Sequence, residues 1–405
     1  MSRISIIAVG SRGDVAPLAG LGAALARAGH EVAVTAYSPF ETMITDCGLT
    51  FRELPAALEG TDDPMKELAA FVAPSGMRDL GMAIVAADAG EPADMVLLSP
   101  FAEMAGHALA EAKGITAVGV RLQPLSATTA YPPAVLGARS LGPRGNRWAA
   151  DAGTWLVDRL YRGVAADLRR ELGLPKNSPL ELRRERTAAE WPVLHGYSAL
   201  VAPRPEDWRP GLEVTGYWWP PASPDWQPSD ELATFLADGP PPVFVGLGSV
   251  MTDSARAREL SEIFVRAADL AGVRMIVQSG WAGLDVDTDR VLTTGEAPHD
   301  WLFPQTAAVA HHCGAGTVAA GLRAGVPTIA LPGYGDGAFW AARLRDVGAC
   351  AATIPQRRLT AERLADAIRA AHDPTLKACT DRIAPGINAE DGIGQAISII
   401  EKKLT

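Results

Sequence analysis

Apolar residues along this chain come in short unbroken runs that alternate with stretches of helical period. Residues 4–9 (Ile4, Ile6, Ile7, Ala8 and Val9 around Ser5) form one such run, and Gly10-Ser11-Arg12-Gly13-Asp14 ends it with loop chemistry. Leu18, Leu21 and Leu25 then recur at helical spacing until Gly29, after which 32–35 is strand-like again. A strand, a helix and a strand within about thirty residues is a βαβ unit, which implies a parallel sheet covered by helices. Strands are predicted again at 95–98 and 116–120, with a helix at 102–113 between them. The theme restarts at 243–247, a strand that runs into Gly248-Ser249. Leu260, Ile263, Phe264 and Ala267 follow as a helix face, then strands at 273–277, 309–311, 328–331 and 349–352. Helices near 317–324 and 338–347 separate the later strands, and 391–403 reads as a final amphipathic helix.

Between 203 and 242 the rhythm stops. Ten of the 31 prolines and four of the ten tryptophans lie there, and prolines at that density continue neither a helix interior nor a central strand. The expected organisation is an N-terminal domain over 1–210 and a Pro/Trp-rich linker over 211–240. A C-terminal domain over 241–385 and a helical end, 386–405, packed back on the N-terminal domain complete it. The length of 405 residues fits two domains, and 48% apolar against 21% charged residues is ordinary globular composition.

With 37 Lys+Arg against 47 Asp+Glu the formal net charge is −10. An acidic chain without a basic block argues against gripping nucleic acid or anionic lipid, and no basic amphipathic segment is evident from the pattern. The four cysteines, at 47, 313, 350 and 379, fit no disulfide or metal spacing. No apolar run approaches a membrane span, and the N-terminal run lacks a signal-peptide form. A reduced, cytoplasmic protein with no metal is expected.

The densest candidate chemistry is His311-His312-Cys313-Gly314-Ala315-Gly316-Thr317, between a strand and a helix. Small residues let an anion approach the backbone, the helix N-terminus offers free N–H groups, and Thr317 and His312 add donors. Gly248-Ser249 stands at the matching end of the second half's first strand. The loop at 10–14 lacks the third glycine of a dinucleotide fingerprint, so NAD is discounted. Asp14 opens the first helix, and its spacing fits a helix N-cap as well as a general base. The Asp285, Asp287, Asp289 and Glu296 pattern imitates a calcium loop, but Arg290 replaces its turn glycine. A solvated turn is the better reading.

Several segments together resemble a known family: Gly10-Ser11-Arg12-Gly13-Asp14-Val15-Ala16-Pro17, Val245-Gly246-Leu247-Gly248-Ser249, Pro298-His299-Asp300-Trp301-Leu302-Phe303 and the 311–317 cluster. Gly325-Val326-Pro327 and Leu331-Pro332-Gly333-Tyr334-Gly335-Asp336 extend the match, so the resemblance covers nearly the whole chain. It is to family 1 glycosyltransferases of the GT-B fold, on the branch of bacterial antibiotic and sterol enzymes. That resemblance implies an α/β protein with two Rossmann-like parallel-sheet domains facing each other across a cleft. It implies inverting transfer of a sugar from a dTDP- or UDP-linked donor, without a metal or other cofactor, to a hydrophobic small-molecule acceptor.

By position, Asp14 matches the family's general base, with Ser11, Arg12 and Gly13 as its cleft loop. Ser249, His312, Gly314, Gly316 and Thr317 match the diphosphate site. Trp281, Ala297, Pro298 and His299 match the loop lining the nucleoside, and Asp336 with Gly337 the sugar site. Three positions depart from the pattern. Gly337 stands where the family usually has glutamine, which is compatible with a deoxysugar. Ser99 stands about where plant relatives have an aspartate, and Cys313 replaces a commoner glycine. Phe71, Met77, Met82, Phe101 and Tyr131 are the candidates for an apolar acceptor pocket, with core packing as their other reading. A sterol or lipid glucosyltransferase, a nucleotide-sugar epimerase and a catalytically silent auxiliary protein are the alternatives. A monomer or homodimer is expected.

Overall fold

The computed structural model describes residues 1–55, 64–220, 226–248 and 252–404. Strands β1 (Arg3–Ile7), β2 (Glu31–Tyr37), β3 (Thr50–Leu54), β4 (Met95–Leu98), β5 (Thr116–Arg121), β6 (Val193–His195) and β7 (Leu212–Val214) form the first sheet. All are parallel, in the order β3-β2-β1-β4-β5-β6-β7. The second sheet contains β8 (Val243–Gly246), β9 (Met275–Gln278), β10 (Val291–Thr294), β11 (Ala308–His311), β12 (Thr328–Ala330) and β13 (Cys350–Thr353). It too is parallel, in the order β10-β9-β8-β11-β12-β13. Helices cover both faces, so Met95, Val96, Leu97 and Leu98 of β4 are all buried. Strands covered on both sides read as unbroken apolar runs without alternation.

The strand order decides where ligands can sit. In the first sheet the order in which strands are added switches from one side to the other at the β1–β4 neighbours, and in the second at β8–β11. Loops leaving the C-terminal ends of such a pair diverge and open a crevice. Residues 10–14 lie in the first crevice, and Gly248 with the 312–314 turn in the second. The two halves share an apolar core in which Tyr131, Val193 and Tyr197 meet Val318, Phe339 and Trp340. Tyr197 and Trp340 touch edge to face with centroids 5.5 Å apart.

Two expected boundaries move. The first sheet runs past residue 210, because Leu212 and Val214 pair with Val193 and His195 although prolines surround them. Residue 386 falls inside the Pro374–Ala389 helix, which carries Pro385 in its interior. The following helix, Gly392–Leu404, contributes Ala396 and Ile400 to the core of the first domain.

Candidate functional site

The first-domain half of the cleft is built on the Arg12–Arg27 helix. Its N-cap is Ser11, so Asp14 is the third residue of the first turn and not the cap itself. Asp14 Oδ2 accepts hydrogen bonds from the Ser11 backbone N–H at 2.8 Å and the Ser11 hydroxyl at 3.0 Å. Position 10 must be glycine, because its φ is +143° and a Cβ there would lie 2.4 Å from Asp14 Oδ2. Ser99 is buried and accepts from the Val9 N–H at 2.9 Å, which fixes the end of the strand feeding this loop. Burial raises the Asp14 pKa above the ordinary carboxylate value; the Ser11 hydrogen bonds oppose the shift, and the negative charge of Asp336 adds to it.

Asp336 belongs to the second domain, so the charge of one domain's carboxylate acts on a carboxylate of the other. It caps the Gly337–Asp346 helix and accepts from Trp340 Nε1 at 2.8 Å. Its pKa is also raised by burial, against hydrogen bonds from Trp340 and from the Gln123 amide of the first domain. A Cβ on Gly337 would come within 2.7 Å of the His312 carbonyl oxygen. The backbone at 337 has closed onto the His312 turn, which leaves no room for the family's usual glutamine. Arg12 and Glu296 form a second bridge over the cleft, with 3.5 Å between Nε and Oε2.

The second-domain half is the N-terminus of the Ala315–Arg323 helix. Gly314 is its N-cap and offers no side-chain cap, so the N–H groups of Ala315, Gly316 and Thr317 are left to an incoming anion. The His312 ring is wedged between two glycines: a Cβ on Gly248 would lie 2.4 Å from its Cε1, and one on Gly314 2.5 Å from its Nε2. Burial pulls the His312 pKa down to about 4, so the ring is neutral near pH 7 and can offer an N–H without a charge. Among the described residues its Nδ1 has no partner. Cys313 is fully buried with φ +67°, and its N–H donates to His311 Nδ1 at 3.1 Å. That left-handed backbone accounts for the glycine usual at this position.

Trp281 is 47% exposed and donates its backbone N–H to the Gly248 carbonyl at 3.3 Å. Ala297 is buried, and Pro298 caps the single turn His299–Leu302. The His299 ring stacks on Phe303 at 4.3 Å, and burial holds its pKa near 3. These residues shape the wall beside Gly248. Ser249 lies outside the described residues.

The acceptor candidates divide. Phe71 and Phe101 meet edge to face at 5.2 Å, Phe101 is 38% exposed, and Met82 is half-buried beside the first core. Met77 instead lies inside that core. Tyr131 is buried in the interdomain core, its hydroxyl donating to the Pro203 carbonyl and its ring against Phe339 at 5.7 Å. Neither has surface left for an acceptor. Glu296 stood in the sequence only as part of the calcium-loop pattern; the fold turns it, and Gln123 of the first domain, toward the opposite domain.

The comparisons with known proteins agree with this layout. The family described as Erythromycin biosynthesis protein CIII-like, C-terminal domain matches residues 282–394. O-mycaminosyltylonolide 6-deoxyallosyltransferase of Streptomyces fradiae is 35% identical, over 99% of this chain and 97% of its own. Sterol 3-beta-glucosyltransferase of Candida albicans is 30% identical over 99% of this chain, which spans 28% of that longer protein. Among solved structures, the calicheamicin glycosyltransferase CalG4 superposes with a TM-score of 0.72 at 20% identity, covering 100% of this chain and 98% of its own. The glycosyltransferase VinC, solved with dTDP, gives 0.67 at 21% identity over 99% of each chain. Two facing parallel-sheet domains, the motifs at the ends of their strands and a full-length relative together make this chain a member of the family 1 glycosyltransferases of the GT-B fold, on the side that holds antibiotic-tailoring and sterol enzymes.

Proposed function

We propose that this protein transfers a sugar, most simply a deoxysugar carried on dTDP, to a hydroxyl of a hydrophobic natural product, with inversion at the anomeric carbon. The observation that carries the reading is a buried carboxylate, Asp14, held by Ser11 at the mouth of the first-domain crevice, opposite the uncapped helix N-terminus of the second domain. Asp14 takes the acceptor proton as that oxygen bonds to the anomeric carbon. The carbon–oxygen bond to the diphosphate breaks on the opposite face. The departing charge is received by the N–H groups of the Ala315–Arg323 helix, the Thr317 hydroxyl and neutral His312. A base with a raised pKa is a better proton acceptor near neutral pH than an ordinary carboxylate. In this scheme helix N–H groups and side chains receive the diphosphate charge, and no metal has a role.

The deoxysugar is supported by the deoxyallosyl-transferring relative and by the missing amide at 337, and the dTDP carrier by the structural neighbour VinC, solved with dTDP. A UDP-glucose donor with a sterol acceptor is the second reading, supported by the sterol relative's 30% identity over 99% of this chain. Asp14→Asn keeps the side chain's shape and removes its basicity. Turnover should fall by at least about a hundredfold while calorimetry shows dTDP bound with unchanged affinity. Full turnover in this variant would falsify the assignment.

A further inference from the structure

The Gly142–Leu160 helix is amphipathic the wrong way round. A helix on a globular protein turns its apolar stripe to the core. Here the only fully buried residue is Asn146, whose amide donates to the Thr129 carbonyl at 3.3 Å and whose oxygen accepts from the Leu141 N–H at 2.9 Å. Arg147 to Asp207 and Asp158 to Arg183 hold the same helix down by polar contacts. Its large apolar residues point away: Trp148 is 71% and Trp155 59% exposed, and Leu156 and Leu160 stand out beside them. Spacings of seven (148 to 155) and four (156 to 160) put these on one side of the helix.

The charge around this face opposes that of the molecule. The whole chain carries −10, yet 139–162 holds five arginines against two aspartates. Arg144 is exposed at the start of the face, and the Arg159 guanidinium lies over the Trp155 ring at 5.9 Å. Indole rings interleaved with arginines on an outward helix face match the boundary of an anionic bilayer, where tryptophan settles at headgroup depth and arginine meets lipid phosphate. A two-fold contact with a second copy would set this basic face against itself. Among the described residues no helix is long and apolar enough to cross a membrane, so the contact is with the surface.

We propose that the outward face of the Gly142–Leu160 helix docks this protein on an anionic lipid surface. This replaces the sequence-based expectation that no such segment exists. The exposed Val135 and Leu136 precede the helix, on a turn that packs against the Gly337–Asp346 helix, so the docked side adjoins the cleft mouth. The proposal does not rest on sugar transfer, and its test needs neither donor nor acceptor.

The full chain is floated with vesicles of phosphatidylcholine, alone or mixed with phosphatidylglycerol, at low and high salt. It should bind the mixed vesicles, with a blue shift of tryptophan emission, and release in high salt. Trp148→Ser with Trp155→Ser should weaken binding by about tenfold or more, and Arg144→Glu with Arg159→Glu by about tenfold. All four sites are exposed, so melting temperatures should match the parent; if one pair melts early, the other carries the test. No flotation with phosphatidylglycerol overturns the proposal. So does equal flotation of parent and both variants, or a parent dimer that the tryptophan variant splits.

Discussion

Asp14 and Asp336 are held above the ordinary carboxylate range chiefly by burial, and the charge of Asp336 adds to the shift on Asp14. A general base acts only when ionised, so activity falls as pH drops through the raised Asp14 pKa. Replacing Asp336 by asparagine removes a negative charge and lowers that pKa. The acid limb of kcat/KM should then move to lower pH, even though loss of a sugar contact reduces the plateau; a limb that stays in place would separate the two carboxylates. Gly337→Gln restores the family's amide, but its Cβ would meet the His312 carbonyl at 2.7 Å. The variant should bind dTDP more weakly and lose about 1–3 kcal/mol of stability; tighter binding would show that the turn can open. At this scale the places of Asp14 and His312, each just past the end of a strand where a helix begins, were legible from the strand–turn–helix pattern. The sequence was illegible for Met77 and Tyr131, because an apolar side chain faces core or cleft according to packing that no spacing records.

The strand-turn-helix element at 308–323 combines three demands in one short stretch: a buried strand, a left-handed residue at 313 and an uncapped helix N-terminus. Gly314→Ala is the sharpest probe of it, since the new methyl would sit 2.5 Å from His312 Nε2. Displacing that ring should weaken dTDP about tenfold or more, the value of a charge-assisted hydrogen bond, with the helix content by circular dichroism unchanged. Unaltered affinity would remove His312 from the diphosphate site. Elements of this kind were readable because parallel strands appear as apolar runs and glycine turns punctuate them. The β7 strand was hidden by neighbouring prolines. The Gly142–Leu160 helix gave no core stripe to find, because the stripe it has faces outward.

At the scale of the molecule, buried imidazoles tie stability to pH. His195 and His311 are fully buried, and desolvation pulls the first to about 3 and the second well below its usual value. An unfolded histidine protonates near 6.5, so below that pH the unfolded chain binds more protons and stability falls as pH drops. Each such histidine contributes up to about 1.4 kcal/mol per pH unit in that window. The Tm should therefore decline from pH 7.5 to 5.5, and decline less in His195→Phe, where a ring still stacks on Trp208. Parallel curves for the two proteins would contradict this origin. The two-sheet architecture itself followed from the repeated strand–glycine turn–helix opening, whereas the shared interdomain core did not, since aromatic residues far apart in the chain build it.

The Gly392–Leu404 helix also sets an order of assembly. Its Ala396 and Ile400 complete the core of a domain whose last strand ends at Val214. On the ribosome, at about 5–20 residues per second, that domain waits on the order of 10–40 seconds for its final piece. The domain made first is the one finished last, and an apolar notch stands open for the whole synthesis of the other.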